Sequence, residues 1–258
     1  MPALQAIDAA HYEVIVTDDG SDEATADLVK AAFPWVRYTY GPRRGPAANR
    51  NHGASLASGQ WLVFTDDDCL PDANWLQAYH DAITGHPDCR AFEGAILPDD
   101  WKLLQKDLAE CPVNTAGGCF WSANIMVERQ LFQSMGGFDE QFLIAAQEDQ
   151  DLQWRIQQQH SIVFVPAAQM VHPVRWQKFF FWEKNKFKRL LSFVIKNKKQ
   201  NKKNFSIVKL SMGSLIHAIW NAIRSKKLLY ACHLVLHFCY QCVMFPIVFW
   251  KVDFEPKV

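Results

Sequence analysis

The sequence predicts an α/β protein with a mostly parallel, open sheet that is flanked by helices. Two short apolar segments, residues 12–17 and 61–65, run directly into acidic residues, as buried parallel strands do where they end. Residues 23–33 follow the first segment and space their small and apolar side chains as a helix packed on a sheet does. This order places acidic residues at the carboxyl ends of strands, where open α/β sheets bind ligands.

Later segments continue the alternation of helices and strands. We expect helices over residues 47–58, 74–84, 129–135 and 147–159, and strands over residues 36–40, 91–96, 123–127 and 161–165. A polar loop is expected around Trp101. The predicted domains are a catalytic domain at residues 1–176 and a basic and apolar helical extension at residues 177–258.

Composition limits the classes of function that the chain can have. Its 258 residues are 49% apolar and carry a formal net charge of zero, which allows a sizeable core and gives no overall attraction to nucleic acid. Seven cysteines without a secreted framework favour a reducing, cytosolic compartment. Cys239 and Cys242 form a C-x-x-C pair, but no second pair stands at zinc spacing, so helix packing is the preferred interpretation.

Asp66, Asp67 and Asp68 form the most concentrated acidic cluster of the sequence. Adjacent like charges repel and need cations or a bound metal to offset them. A divalent metal that neutralises a departing diphosphate is one interpretation, because a metal ion acts there as a Lewis acid. A solvated turn with an aspartate cap is the alternative, and the triplet alone leaves both open.

Five motifs in register resemble those of the family 2 glycosyltransferases, over about residues 10–176. They are Asp18-Asp19-Gly20-Ser21, Arg50-Asn51, Asp66-Asp67-Asp68, Gly136-Gly137-Phe138-Asp139 and Glu148-Asp149. The resemblance implies a GT-A fold, a nucleotide-sugar donor, and inversion at the anomeric carbon by direct displacement. It also implies a divalent cofactor, Mg²⁺ or Mn²⁺.

The resemblance assigns donor-binding residues by their motif positions. It implies that Asp18 or Asp19 contacts the nucleoside, that Arg50 lies near the base or the diphosphate, and that Asp66 faces the ribose. A turn cap is the alternative for the two acids of the first motif. A surface cation is the alternative for Arg50.

The metal and the catalytic base are assigned in the same way. Asp68 would bind the metal, with His172 as a second ligand or else a structural histidine, while Asp67 points elsewhere. Asp149 would be the general base that deprotonates the acceptor hydroxyl, unless Glu148 and Asp149 only complement a helix N-terminus.

The acceptor side is assigned to Glu148, Gly118 and Trp121. A glycine pair at residues 117–118 permits close backbone approach, and Trp121 is able to stack on a sugar face. An ordinary core position is the alternative for this tryptophan.

The chain departs from the family pattern at its beginning. Family members start with an apolar strand and a helix, whereas residues 4–10 resemble only the tail of that helix. We therefore expect a domain that lacks its first strand and has an exposed sheet edge. A catalytically impaired relative that binds a membrane or a partner enzyme is the alternative function on this ground.

The C-terminal part suggests contact with a membrane. Residues 228–250 contain no Asp, Glu, Lys or Arg, but His233, His237 and Gln241 would share one face of a helix there. Basic residues dominate from 178 to 203 and would favour an anionic, cytoplasmic membrane surface. Interfacial helices or a short hairpin are expected, with a soluble helical extension as the alternative.

Together these patterns predict an enzyme on the cytoplasmic side of the cell membrane. It would transfer a sugar from a nucleoside-diphosphate donor to a hydroxyl of a lipid-linked or cell-surface glycan acceptor. A sugar nucleotidylyltransferase is disfavoured, because no glycine-rich basic loop opens the sequence.

Overall fold

The computed structural model describes residues 12–20, 23–106, 109–143, 145, 147–176 and 186–200. Its strands are β1 Ile15–Asp18, β2 Arg37–Tyr40, β3 Trp61–Thr65, β4 Leu70–Pro71, β5 Ala91–Pro98, β6 Ala109–Glu110, β7 Asn124–Glu128, β8 Val163–His172 and β9 Arg175–Trp176. Its helices are α1 Glu23–Ala32, α2 Pro46–Leu56, α3 Trp75–Gly85, α4 Trp101–Leu104, α5 Arg129–Ser134, α6 Glu148–Gln157 and α7 Lys186–Lys199.

The central sheet is mixed, with five strands in the order β3-β7-β5-β8-β4. Within the described residues only its β5–β8 pair is parallel, and the other three pairs are antiparallel. The predicted mostly parallel sheet is therefore wrong. Short apolar segments look alike in parallel and antiparallel surroundings, so the sequence did not reveal that β7 enters between β3 and β5.

Alternating residues of the central strands supply two apolar cores. In β7, Ile125 and Val127 join a core with α2, α5 and α6, while Met126 between them joins a core with α3. In β5, Ala91 joins the first of these cores and its neighbour Phe92 joins the second. This is the two-residue period of a strand, and it shows that both faces of the sheet are covered by helices.

The pairing of β5 with β8 contains a local irregularity. The register of β5 against β8 shifts between Gly94 and Ala95. Asn124 of β7 bridges this place, since its side-chain nitrogen donates to the carbonyls of Ala95 and Ala168 at 2.8 Å each. Beyond the shift, β8 continues well past its predicted end, so His172 is the last residue of the strand rather than part of a following loop.

A separate parallel pair, β1–β2, carries the first acidic motif. Helix α2 packs closely on β1, where the side-chain nitrogen of Asn49 donates to the carbonyl of Thr17 at 2.9 Å. A Cβ atom at Gly53 would lie 3.1 Å from the methyl group of Thr17, so a glycine suits this close approach. Asp18 thereby ends β1 beside the first half of α2.

The chain divides into two compact units, Met1–Asp99 with Pro112–Pro173, and Asp100–Cys111 with Val174–Val258. The predicted boundary between residues 176 and 177 stays a prediction. No helix in the described residues is long and apolar enough to cross a lipid bilayer. The predictions for residues 1–11, for residues 228–250, and for Cys239 and Cys242 lie outside the described residues.

In the second unit, the prediction for the segment around Trp101 is wrong. The segment around Trp101, predicted as a loop, is the short helix α4. Asp100 caps it, because its carboxylate accepts the N–H groups of Lys102 and Leu103. An aspartate directly before an apolar segment is a common helix start, so the signal was present in the sequence.

Candidate active site

A cavity of about 330 Å³ lies in the first unit, where β3 ends and α6 begins. Its lining includes Arg50, Asp66, Trp121, Glu148 and Asp149. These five residues were all assigned to the site from the sequence. The structure thus brings the two distant acidic motifs to one place.

Arg50 joins these two motifs. Its Nη1 atom donates to Oε1 of Glu148 at 3.0 Å, and its Nη2 atom donates to Oδ1 of Asp66 at 2.8 Å. The side chain of Glu148 is only 2% exposed, so its charge depends on this partner. The guanidinium carbon also lies 5.8 Å from the centre of the Phe138 ring. The roles predicted for Arg50 and Asp66 toward the donor stay predictions.

Asp149 lies in the first turn of α6 and opens onto the same cavity. Its carboxylate accepts the N–H of Gln150 at 2.7 Å and, more weakly, the N–H of Ser122 at 3.4 Å. Burial raises the pKa of Asp149, although these N–H groups and the charge of Arg50 act in the opposite direction. A raised pKa makes this carboxylate a better proton acceptor than an ordinary aspartate.

Asn51 fixes the glycine-rich turn beside the cavity. Its side chain accepts the N–H of Phe138 at 2.9 Å and donates to the carbonyl of the same residue at 2.8 Å. Gly137 has a φ of 68°, and a Cβ atom there would lie 2.6 Å from the side-chain oxygen of Asn51. Only glycine fits this position without strain. The Arg50-Asn51 pair therefore holds both Glu148 and this turn.

Glu93 organises the loop that precedes Trp121, and the sequence analysis did not identify it. Its carboxylate is almost fully buried in β5 and accepts the N–H groups of Gly118, Cys119 and Phe120. The side chain of Asn114 donates to it as well, at 3.1 Å. A charged residue within an apolar strand was the available signal, because a buried carboxylate must be hydrogen-bonded.

The loop itself needs both of its glycines for different reasons. Gly117 has a φ of 81°, and a Cβ atom there would lie 2.8 Å from the side chain of Phe164. Gly118 has a φ of 90° but open space around it, and its carbonyl accepts the side-chain N–H of Gln153 on α6. Trp121 follows the loop and is half-buried. It packs against the core that contains α3, and it also lines the cavity.

Asp68, Cys69 and His172 form a cluster of potential metal ligands, with one ligand atom from each within 4.8 Å of the others. Nε2 of His172 lies 3.9 Å from Oδ1 of Asp68. Nδ1 of His172 lies 2.9 Å from the carbonyl of Pro173, which can only accept, so Nδ1 carries the proton. When the imidazole is neutral, the lone pair of Nε2 faces this carboxylate, and a cation between them would stabilise the arrangement. Asp67 is exposed.

The first acidic motif lies at the end of β1 and outside the lining of this cavity. The hydroxyl of Tyr38 donates to Asp18 at 2.6 Å, which lowers the pKa of Asp18 and raises the pKa of Tyr38 to about 12. Asp19 accepts the N–H groups of Arg43 at 2.8 Å and Gly45 at 3.1 Å. Asp19 thus orders the turn between β2 and α2, and the predicted contact of these two acids with a nucleoside stays a prediction.

The mixed α/β sheet with acidic residues beyond its strand ends is compatible with the GT-A fold. Comparison with known families agrees with this class. The description "Glycosyl transferase family 2" matches residues 3–93, and "Glycosyltransferase like family 2" matches residues 104–210. The chain belongs to glycosyltransferase family 2.

Curated relatives of the chain are glycosyltransferases of diverse kinds. Validoxylamine A glucosyltransferase of Streptomyces hygroscopicus subsp. jinggangensis is 26% identical over 186 residues, which are 56% of this chain and 44% of the relative. The chain spans less than half the length of the first curated relatives that it matches.

Solved structures share the fold. The mannosyltransferase PcManGT from Pyrobaculum calidifontis, in complex with GDP-Man and Mn²⁺, aligns with a TM-score of 0.52 and 16% identity, over 94% of this chain and 70% of that one. GalNAc-T7 with UDP, GalNAc and Mn²⁺ aligns with a TM-score of 0.52 and 16% identity, over 72% of this chain and 41% of that one. At this identity the likeness shows the fold alone.

Proposed function

We propose that the protein transfers a sugar from a nucleoside-diphosphate donor to a hydroxyl of a glycan or lipid-linked acceptor, with inversion and with the help of Mg²⁺ or Mn²⁺. The observation that supports this most is the shared cavity. Its lining includes both the half-buried Asp149 and Asp66, the first residue of the acidic triplet. The proposed base, Asp149, and the proposed donor contact, Asp66, thus line the same cavity.

Asp149 is the carboxylate of this cavity that suits the general base. Asp66 and Glu148 are both already engaged by Arg50, which donates a hydrogen bond to each carboxylate. Burial raises the pKa of Asp149. In direct displacement, Asp149 would take the proton of the acceptor hydroxyl as its oxygen attacks the anomeric carbon, and the configuration inverts.

Asp68 and His172 would hold the divalent ion. In its neutral form with Nδ1 bonded to Pro173, His172 turns the Nε2 lone pair toward Asp68, and this arrangement fits a cation. Bound there, the ion would neutralise the charge that develops on the departing nucleoside diphosphate. The PcManGT and GalNAc-T7 structures both contain Mn²⁺, so a divalent ion is the cofactor to test first.

Donor binding is tested by the thermal stability of the full chain with UDP, GDP, ADP, CDP and dTDP, each with and without Mn²⁺. One nucleotide at 100 times its Kd should stabilise the protein by about 2.7 kcal/mol. The effect should need Mn²⁺ and disappear in Asp68→Asn, but persist in the control Asp88→Asn, which changes an exposed carboxylate. Unchanged stability with every nucleotide would refute the proposal.

We also propose that the enzyme works at the cytoplasmic face of the membrane. Helix α7 supports this, because its sequence contains six Lys and Arg residues and no acid. Basic helices of this kind are attracted to anionic lipid. Binding of the full chain to phosphatidylserine vesicles at low salt, and not to phosphatidylcholine vesicles, is the expected result. Equal binding to both, or to neither, would refute it.

A further inference from the structure

Cys69 lies near His172 because β4 pairs with β8. The β4–β8 register pairs Leu70 with Val171 in an antiparallel way, and Cys69 and His172 are the next residues beyond that pair, with ligand atoms within 4.8 Å of each other. The Sγ atom of Cys69 lies 3.9 Å from Oδ1 of Asp68, the same oxygen that faces His172.

The separations suit a small four-coordinate ion. Zinc binds sulfur, nitrogen and oxygen at about 2.0–2.3 Å, which at a tetrahedral ion puts two ligand atoms roughly 3.3–3.6 Å apart. Both distances to Asp68 are 3.9 Å, only a few tenths longer. Cys69 and His172 are 9% and 6% exposed, so the surrounding sheet and core hold two of the three ligands in place.

The three donor atoms are a carboxylate oxygen, an imidazole nitrogen and a sulfur. Mn²⁺ and Mg²⁺ favour oxygen ligands, whereas sulfur selects thiophilic ions such as Zn²⁺ and Cd²⁺. With Mn²⁺ or Mg²⁺ the Cys69 sulfur would not bind the ion and would only pack at the edge of the core that contains α3. With a thiophilic ion it would be a third protein ligand, and its proton would pass to water.

We propose that Asp68, Cys69 and His172 bind Zn²⁺ and Cd²⁺ through the Cys69 sulfur, and that these ions displace the Mn²⁺ of the proposed function. The inference rests on that function only for the displacement. The thiophilic site itself depends on the three side chains. Zinc would thus inhibit the enzyme by occupying the ligands that hold the donor's metal.

The test is titration of the full chain with Cd²⁺, followed by the ultraviolet charge-transfer absorption of the sulfur–cadmium bond. Cys239 and Cys242 are replaced by serine in every sample, since that pair is a rival sulfur source. The expected result is one saturating band, lost in Cys69→Ser and weakened at least tenfold in apparent affinity in His172→Ala. Cys89→Ser is the matched control and should keep the band, because this buried cysteine lies just before β5, bonded to the carbonyl of Ala91, and is not part of the cluster.

An unchanged band in Cys69→Ser would overturn the proposal. Competition separates it from the proposed function: Mn²⁺ in excess should lower the apparent Cd²⁺ affinity of the unaltered chain. If the Cys69-dependent band forms but no nucleotide stabilises the protein with Mn²⁺, the thiophilic site stands and the donor site fails. If Mn²⁺ does not compete, the displacement is wrong.

Discussion

At the scale of single residues, the ionisation of Asp149 controls the predicted pH dependence. The base must be charged to accept a proton, and burial raises its pKa above the ordinary value of 3.8. Activity should therefore fall as the pH decreases through this raised pKa, at a higher pH than for an ordinary aspartate. The pH profile of kcat/KM measures this acid limb. A limb at the ordinary aspartate value would contradict the role of burial.

Arg50 is the second residue with a measurable effect. Arg50→Gln leaves the buried Glu148 without its cation and should destabilise the protein by about 3–5 kcal/mol in denaturant unfolding. It should also move the acid limb to higher pH, since the charge of Arg50 lowers the pKa of Asp149.

Two variants serve as controls for this prediction. Arg50→Gln combined with Glu148→Gln should regain part of the lost stability, because no buried charge remains unpaired. Arg44→Gln breaks the exposed ion pair with Glu140 and should cost at most about 1 kcal/mol. Equal losses in Arg44→Gln and Arg50→Gln would show that the Arg50 network is an ordinary surface feature.

At the scale of elements, the loop before Trp121 depends on Glu93 of β5. Glu93→Gln replaces one acceptor oxygen by an amide that faces N–H groups, so Gly118 to Phe120 should exchange their amide hydrogens faster. We expect a higher KM for the acceptor with a smaller change in kcat. Glu13→Gln is the control, because Glu13 also accepts loop N–H groups, from Ser58 and Gly59, but is exposed. Equal effects in both variants would exclude a positioning role.

The elements also show what the sequence could predict. Strand β3 and the two acidic motifs follow from local patterns, since apolar segments that stop at aspartates are visible without a fold. The roles of Glu93 and Asn124 depend on partners far away in the chain. Asn124 joins Trp75 and Tyr79 of α3 to the carbonyls of β5 and β8, a network that no local pattern encodes.

The sequence predicted which residues belong to the candidate site better than it predicted the contacts between them. The motif positions of Arg50, Asp66 and Glu148 identified them, but the fact that Arg50 bridges the two carboxylates required the mixed sheet and α6 in place. The length of β8 was missed for a similar reason. A shifted register leaves no periodic signal, so the sequence did not place His172 within the strand.

At the scale of the whole molecule, the candidate site combines distant segments of the first unit. The base comes from α6, the proposed metal ligands come from the segment after β3 and from the end of β8, and Arg50 of α2 bonds Glu148 of α6 and Asp66 after β3. The base and the proposed donor contacts are different residues, so loss of the base should affect the chemical step and leave donor binding intact.

The most direct measurement is release of nucleoside diphosphate from a panel of sugar nucleotides, with Mn²⁺ and a mixture of glycan and lipid-linked acceptors present. The full chain should release the diphosphate from at least one donor, and Asp149→Asn should do so about 10²–10⁴-fold more slowly while still being stabilised by that nucleotide. Asp88→Asn should match the unaltered chain. No release from any donor, or an unchanged rate in Asp149→Asn, would contradict the account.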